Sequence, residues 1–183
     1  RPQGMAHVRF GEPFALRQAL APEPDGGVRW TLPKIAFEVF QRLNHVTPVT
    51  APALVTLALL GVHDQALTLE EVRATVGPLL DYAGQRKLPT VALAELRKDQ
   101  GVRMVLDSLV ANGVVGRHDG GSESVYFIVR GQHGVAAFYR NSAVHWFVNR
   151  AILELGIMVA AQQGDGGALD RGFEAALALG YEM

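Results

Sequence analysis

The sequence contains no cysteine. A disulfide framework, a thiolate metal site and a cysteine nucleophile are therefore excluded, and stability has to come from packing. Nor is there a dominant charge: 17 Lys plus Arg stand against 18 Asp plus Glu, for a formal net charge of -1 and a pI near 6.7. Such a balance gives no chain-wide attraction to phosphate polymers or anionic lipid, so general nucleic-acid binding is disfavoured. Long apolar runs are missing too. The most apolar stretch, Ala53 to Val62, has ten residues, well short of the ~20 needed to span a bilayer, and reads as a helix buried in a bundle. No Gly-x-Gly-x-x-Gly, no Gly-Lys-Ser/Thr phosphate loop and no Gly-x-Ser-x-Gly elbow occurs, and none of the six histidines stands four residues from another. No nucleotide, metal or other cofactor is expected on these grounds. Internal repeats and low-complexity tracts are absent as well. What is present is core material: 49% of the 183 residues are hydrophobic, which suits one compact domain or one with a small appendage. The chain opens at Arg1 in a polar stretch without the basic-then-apolar layout of a signal peptide, and it reads as a piece of something larger.

Along the chain, Ala6 to Gly11 alternates small or apolar with polar residues and is followed by Pro13, which predicts a short strand, the last of a sheet whose other strands lie elsewhere. A brief helix is expected over Phe14 to Leu20, and the Pro and Gly of Ala21 to Gly27 mark a linker. Ile35, Val39, Leu43 and Val46 recur at steps of four and three, so residues 33 to 46 predict an amphipathic helix with Pro33 near its first turn and Pro48 beyond its end. Thr68-Leu69-Glu70-Glu71 is a capping box that starts a helix running to about Arg86, with Leu69, Val72, Val76, Leu79, Leu80 and Ala83 inward and a kink at Gly77-Pro78. Gln100 to Asn112 is a further helix closed by Asn112-Gly113. Directly after it, Val114 to Arg117 and Ser124 to Arg130 are β-prone runs around Asp119-Gly120-Gly121, a hairpin. Two helices followed by a hairpin is a winged-helix order. A long helix is expected over Gln132 to Ala161, with Arg150 and Glu154 paired at i, i+4, and a short final one over Leu169 to Leu179.

Tyr139-Arg140-Asn141 with His145 is the densest polar cluster beside an apolar helix. Arg140 could grip a phosphate or carboxylate with its planar fork, and Asn141 and His145, one turn apart, could orient that ligand. The plainer reading is a helix start whose polar groups satisfy a domain interface. Asn44-His45 and Thr47-Pro48 could likewise meet a neighbouring surface or cap carbonyls. Arg97, Lys98 and Arg103 border the second helix of the winged-helix unit, but Glu95, Asp99 and Asp107 lie among them, so a protein contact is a better expectation than a DNA groove.

Three segments carry a family resemblance. Val8-Arg9-Phe10-Gly11-Glu12-Pro13 resembles the closing strand of the acyltransferase domain of bacterial glycerol-3-phosphate acyltransferases. Gln41-Arg42-Leu43-Asn44-His45-Val46-Thr47-Pro48-Val49 resembles the Arg-Ile-Asn-x-x-Thr-Pro-Val segment that follows it there. Ala137-Phe138-Tyr139-Arg140-Asn141-Ser142-Ala143-Val144-His145 is similar to the Tyr-Tyr-Arg-Asn-Asn-x-x-His segment of the same family, and the actinobacterial branch is the nearest in pattern. The resemblance spans about Ala6 to Leu155. It implies acyl transfer from acyl-CoA or acyl carrier protein to the first hydroxyl of sn-glycerol 3-phosphate, in phospholipid synthesis at the cytoplasmic face of the cell membrane.

The family's His-x4-Asp motif, in which the carboxylate orients a proton-accepting imidazole, is missing here. His7 with Glu12 and His118 with Glu123 are coincidental near misses, and the family's Arg-rich and Glu-Gly-Thr-Arg motifs are missing as well. The resemblance therefore implies the piece downstream of the active site, inactive alone, with no catalytic residue and with Arg140, Asn141 and His145 as substrate-binding candidates. The implied partners are the upstream acyltransferase domain, the acyl donor and glycerol 3-phosphate through the parent, and a membrane surface but no nucleic acid. The expected architecture is mostly α with a small hairpin: residues 1–20 end the acyltransferase domain, 21–32 form the linker, and 33–183 form a helical domain containing the winged-helix-like unit. A stand-alone winged-helix regulator is the alternative, and a membrane-surface anchor using Trp146 and Phe147 a third reading.

Overall fold

The computed structural model describes residues 7–21, 30–62, 65–98 and 100–163, together with positions 172, 174 and 178. Most of the expected linker and nearly all of the expected helix over Leu169 to Leu179 lie outside the described residues.

The core is built on α3 (Ala51–Leu60), which is apolar on all sides. The Thr50 hydroxyl caps its start by accepting from the Ala53 amide at 3.3 Å, and Pro52 occupies the first turn, where no N–H is needed. Leu54, Val55 and Thr56 are all fully enclosed, and each aliphatic side chain so buried contributes roughly 1.5–3 kcal/mol. Thr56 is tolerated there because its hydroxyl donates to the Pro52 carbonyl at 2.8 Å. Helix α6 (His133–Gln163) lies along α3 and buries Ala136, Ala143 and Phe147 on one side. Helix α4 (Leu69–Gln85) begins at the expected capping box: the Glu71 amide donates to the Thr68 hydroxyl at 3.2 Å, and the Thr68 amide donates to the Glu71 carboxylate at 2.7 Å. Its inward face is Val72, Val76, Leu80 and Ala83, with Leu79 half-buried, and the helix continues through Pro78.

Helix α5 (Gly101–Ala111) follows a 3₁₀ turn over Leu93–Arg97. It ends as Asn112-Gly113 predicts: Gly113 takes φ 73°, its amide donates to the Val110 carbonyl, and the Val114 amide reaches back to Leu109 at 3.0 Å. The hairpin forms from β4 (Val115–His118) and β5 (Val125–Ile128), with the Phe127 ring stacked on Gly116 across the pair. A third strand was not anticipated. The two residues of β2 (Leu67–Thr68) pair antiparallel with β5, giving the sheet order β2-β5-β4. A separate parallel pair joins β1 (Val49–Thr50) to β3 (Thr90–Val91).

The amino-terminal end has less regular structure than its pattern predicts. Residues 7–15 form no ladder, since the expected strand belongs to a sheet whose other strands lie elsewhere and none of the described residues offers it a neighbour. The segment is held instead by Arg42, whose guanidinium donates to the Glu12 carbonyl at 2.7 Å, and by Arg9, which reaches the Thr90 carbonyl at 3.2 Å. The short helix that follows is only α1 (Leu16–Ala19). Helix α2 (Leu32–Val46) has the expected span, yet of its apolar stripe only Ile35 is buried; Leu32, Val39 and Leu43 are exposed by 76%, 39% and 54%.

The end of α4 carries a stability prediction. Lys87 adopts φ 52° to close the helix, with its amide on Gly84 and the Leu88 amide on Ala83. A side chain costs roughly 1–2 kcal/mol in that left-handed conformation, so Lys87→Gly is expected to stabilise the fold by about 1 kcal/mol in urea titration.

Candidate functional site

The last turn of α2 exposes carbonyls with no partner inside the helix, and α6 supplies them. His145 Nε2 donates to the Asn44 carbonyl at 3.0 Å and Trp146 Nε1 to the Thr47 carbonyl at 3.2 Å. On the α2 side, His45 donates from Nδ1 to Gln41 at 2.9 Å and lies edge-on to the Trp146 ring at 5.9 Å. The structure thus joins two of the segments singled out in the sequence, Asn44 to Thr47 and His145-Trp146, through side chains of one and backbone of the other.

Arg140 and Asn141 take a different direction. Five positions along a helix turn through about 140°, so Arg140 cannot share the bearing of His145, whereas Asn141 can. The Arg140 guanidinium donates from Nε and Nη2 to the Asn141 side-chain oxygen at 3.2 and 2.9 Å, and no carboxylate pairs with it among the described residues. The three candidates are therefore split: His145 is engaged with α2, while Arg140 ends on a neutral amide with donors to spare. His7, Glu12, His118 and Glu123 are all exposed, the first two on the extended segment and the others at the hairpin end.

Burial lowers the His145 pKa below the ordinary imidazole value, opposed by the carbonyls of Asn44 and Asn141, with nearby His45 adding to the lowering. A base with a depressed native pKa stays neutral in the fold while the unfolded chain takes up the proton. Its contribution to stability is complete above the unfolded-state value of about 6.5 and is lost as pH falls from there through the lower native value. Acidification from about pH 7.5 to about pH 5.5 is expected to cost stability, and His145→Phe is expected to lose less over that range in urea unfolding. Equal losses in the two proteins would exclude His145 as the source.

Beside this junction, α2, the end of α4 and α6 enclose an open cleft of about 480 Å³. Its apolar walls are Phe37, Phe40, Tyr82 and Trp146, and its amides are Gln41, Asn44 and Asn149. Arg86 lines it with its guanidinium 5.7 Å from the Tyr82 ring centre; Arg150, 5.1 Å from the same ring, is engaged with Glu154 at 2.6 Å. Among the described residues no Asp or Glu lines the cleft, so neither imidazole has a carboxylate beside it there to orient it as a base. Sequence reasoning had no means of finding it, because Phe37, Tyr82 and Asn149 come from three separate helices and no local pattern links them.

The comparisons agree with the segment resemblances. Over residues 1–174 the chain matches the family described as Glycerol-3-phosphate acyltransferase C-terminal region. It is 42% identical over 168 residues to proteins of Mycobacterium bovis and Mycobacterium tuberculosis that carry the name acyltransferase plsB1, covering 91% of this chain and 27% of each of them. A protein of Alteromonas mediterranea named glycerol-3-phosphate acyltransferase is 26% identical over 161 residues, 79% of this chain and 19% of that protein. The chain thus spans about a fifth to a quarter of the length of the curated relatives it matches.

Proposed function

Since the chain belongs to the family of glycerol-3-phosphate acyltransferase C-terminal regions, we propose that it is the carboxyl-terminal part of a glycerol-3-phosphate 1-O-acyltransferase, supporting a catalytic domain and inactive alone. Residues 1–20 end that domain, 21–32 link, and 33–183 form the helical domain. The acyl donor is acyl-CoA or acyl carrier protein, and the parent works peripherally at the cytoplasmic face of the cell membrane, where its lipid product is used. The observation that carries this reading is the water-exposed stripe of α2: Leu32, Val39 and Leu43 recur on one side of the helix and are 76%, 39% and 54% exposed, and Val8 and Phe10 of the neighbouring segment are 76% and 91% exposed. Adjacent apolar surface of this kind marks a contact face. An extended segment with alternate apolar side chains bare is the form in which a strand enters another sheet.

The order α3, β2, α4, α5, β4, β5 with sheet order β2-β5-β4 supports a winged-helix-like unit within the domain, used for protein contact. Three of its cations are paired in place: Arg97 meets Asp81 at 2.8 Å, Lys98 meets Glu95 at 2.7 Å and Arg117 meets Asp119 at 2.8 Å. Acidic side chains interleaved with the basic ones in this way count against a phosphate-backbone face and so against the regulator reading.

The test is made in the full-length enzyme. Val39→Glu with Leu43→Glu, both exposed, is expected to cut acyl transfer at least about tenfold while this domain's melting temperature holds; undiminished transfer would overturn the docking reading. Arg140 is the member of the candidate set that we assign to the acceptor's phosphate, so Arg140→Ala is expected to raise KM for glycerol 3-phosphate more than it lowers kcat. An unchanged KM removes that role.

A further inference from the structure

We propose that the cleft between α2, α4 and α6 binds a single-chain anionic amphiphile, its head group on Arg86 and its apolar chain along Phe37 and Phe40. The cleft is formed by this chain alone, so the proposal stands apart from the acyltransferase reading. Its volume of about 480 Å³ falls within the range of small-ligand sites. Three features of the lining select the ligand. Arg86 is exposed and has no carboxylate partner among the described residues, and its guanidinium lies 5.7 Å from the Tyr82 ring centre, a contact that uses none of the fork's N–H donors. Among the described residues no Asp or Glu in the lining repels an incoming anion, and Gln41 and Asn149 offer neutral donors beside the cation.

The third feature is apolar. Phe37 and Phe40 stand at the mouth with 64% and 66% of their surface in water, a cost that a covering hydrocarbon chain would remove. A free phosphate would use only the cation and a neutral lipid only the rings. Both together call for one molecule that carries each kind of group.

Titration of the chain with monomeric dodecyl phosphate, below its micelle concentration, tests this by calorimetry. Binding in the micromolar range is expected. Arg86→Gln and Phe40→Ser, both at exposed positions, are each expected to weaken it at least tenfold without moving the melting temperature. Inorganic phosphate and the neutral dodecyl maltoside serve as the two half-ligands, each expected to bind at least tenfold more weakly than dodecyl phosphate. Equal affinity for the maltoside would reduce the cleft to an apolar patch and overturn the proposal, as would equal affinity for phosphate alone or dodecyl phosphate binding indifferent to Arg86→Gln. Flotation of the chain with phosphatidylglycerol vesicles, without binding of the monomeric amphiphile, would assign the face to a membrane surface and overturn it too.

Discussion

Gly101→Ala is expected to lower the melting temperature by roughly 6–12 °C, the equivalent of about 3 kcal/mol in a chain of this size. The reason is local. A Cβ at position 101 would overlap the carbonyl oxygen of Glu95 and come within 3.0 Å of the Leu96 Cα. Both belong to backbone, the 3₁₀ turn that α5 abuts, so no side chain can swing aside. Relief requires moving the turn away from the helix, and with it Leu93 and Leu96, which are core residues. Gly84→Ala serves as the control. Its Cβ would meet nothing within 4 Å in the helical setting of α4, so the usual helix preference for alanine predicts a gain of about 0.5–1 kcal/mol there. Opposite signs at two helical glycines, read by thermal melts, would confirm that close approach and not flexibility fixes residue 101.

Tyr126→Ala is expected to cost about 3–5 kcal/mol in urea unfolding. Tyr126 is only 1% exposed and sits on the central strand, opposite Leu67 on one side and Arg117 on the other. Removing its ring opens a void where the sheet meets α3, and the two-residue strand β2 has little else to hold its register. Tyr126→Phe keeps the ring and is expected to cost less than about 1.5 kcal/mol. Similar losses for the two substitutions would move the effect from packing to the hydroxyl.

Elements specified by neighbours in sequence were legible in it. The Thr68 to Glu71 capping box, the Asn112-Gly113 stop and the Arg150 to Glu154 pair each involve residues within four positions, and each forms as the local chemistry requires. Features set by distant residues were not legible. The strands β2 and β3 have two residues each, too few for any periodicity, and exist only because β5 and β1 lie beside them. Periodicity marked one side of α2 as apolar, but it says nothing of what covers that side, and Val39 and Leu43 are open to water. The strand expected near Phe10 shows the same limit, since a two-fold alternation needs a second strand to become a ladder. At the candidate site, the sequence picked out Arg140, Asn141 and His145 as one group. Helical geometry sends Arg140 and His145 apart, and the partner that decides the orientation of His145 is a backbone carbonyl of Asn44, 101 residues away.

The indole of Trp146 has a practical use. It is one of two tryptophans in the chain, it donates to Thr47 at the joint between α2 and α6, and two imidazoles flank it at 5.9 and 4.9 Å. With Trp30 replaced by Phe, the remaining emission becomes an intrinsic optical gauge of that joint: parting of the two helices would free the indole to water and red-shift its spectrum, and charging of the His145 imidazole would quench it. Any protein, lipid or detergent that acts at this seam can thus be followed in real time without attaching a dye.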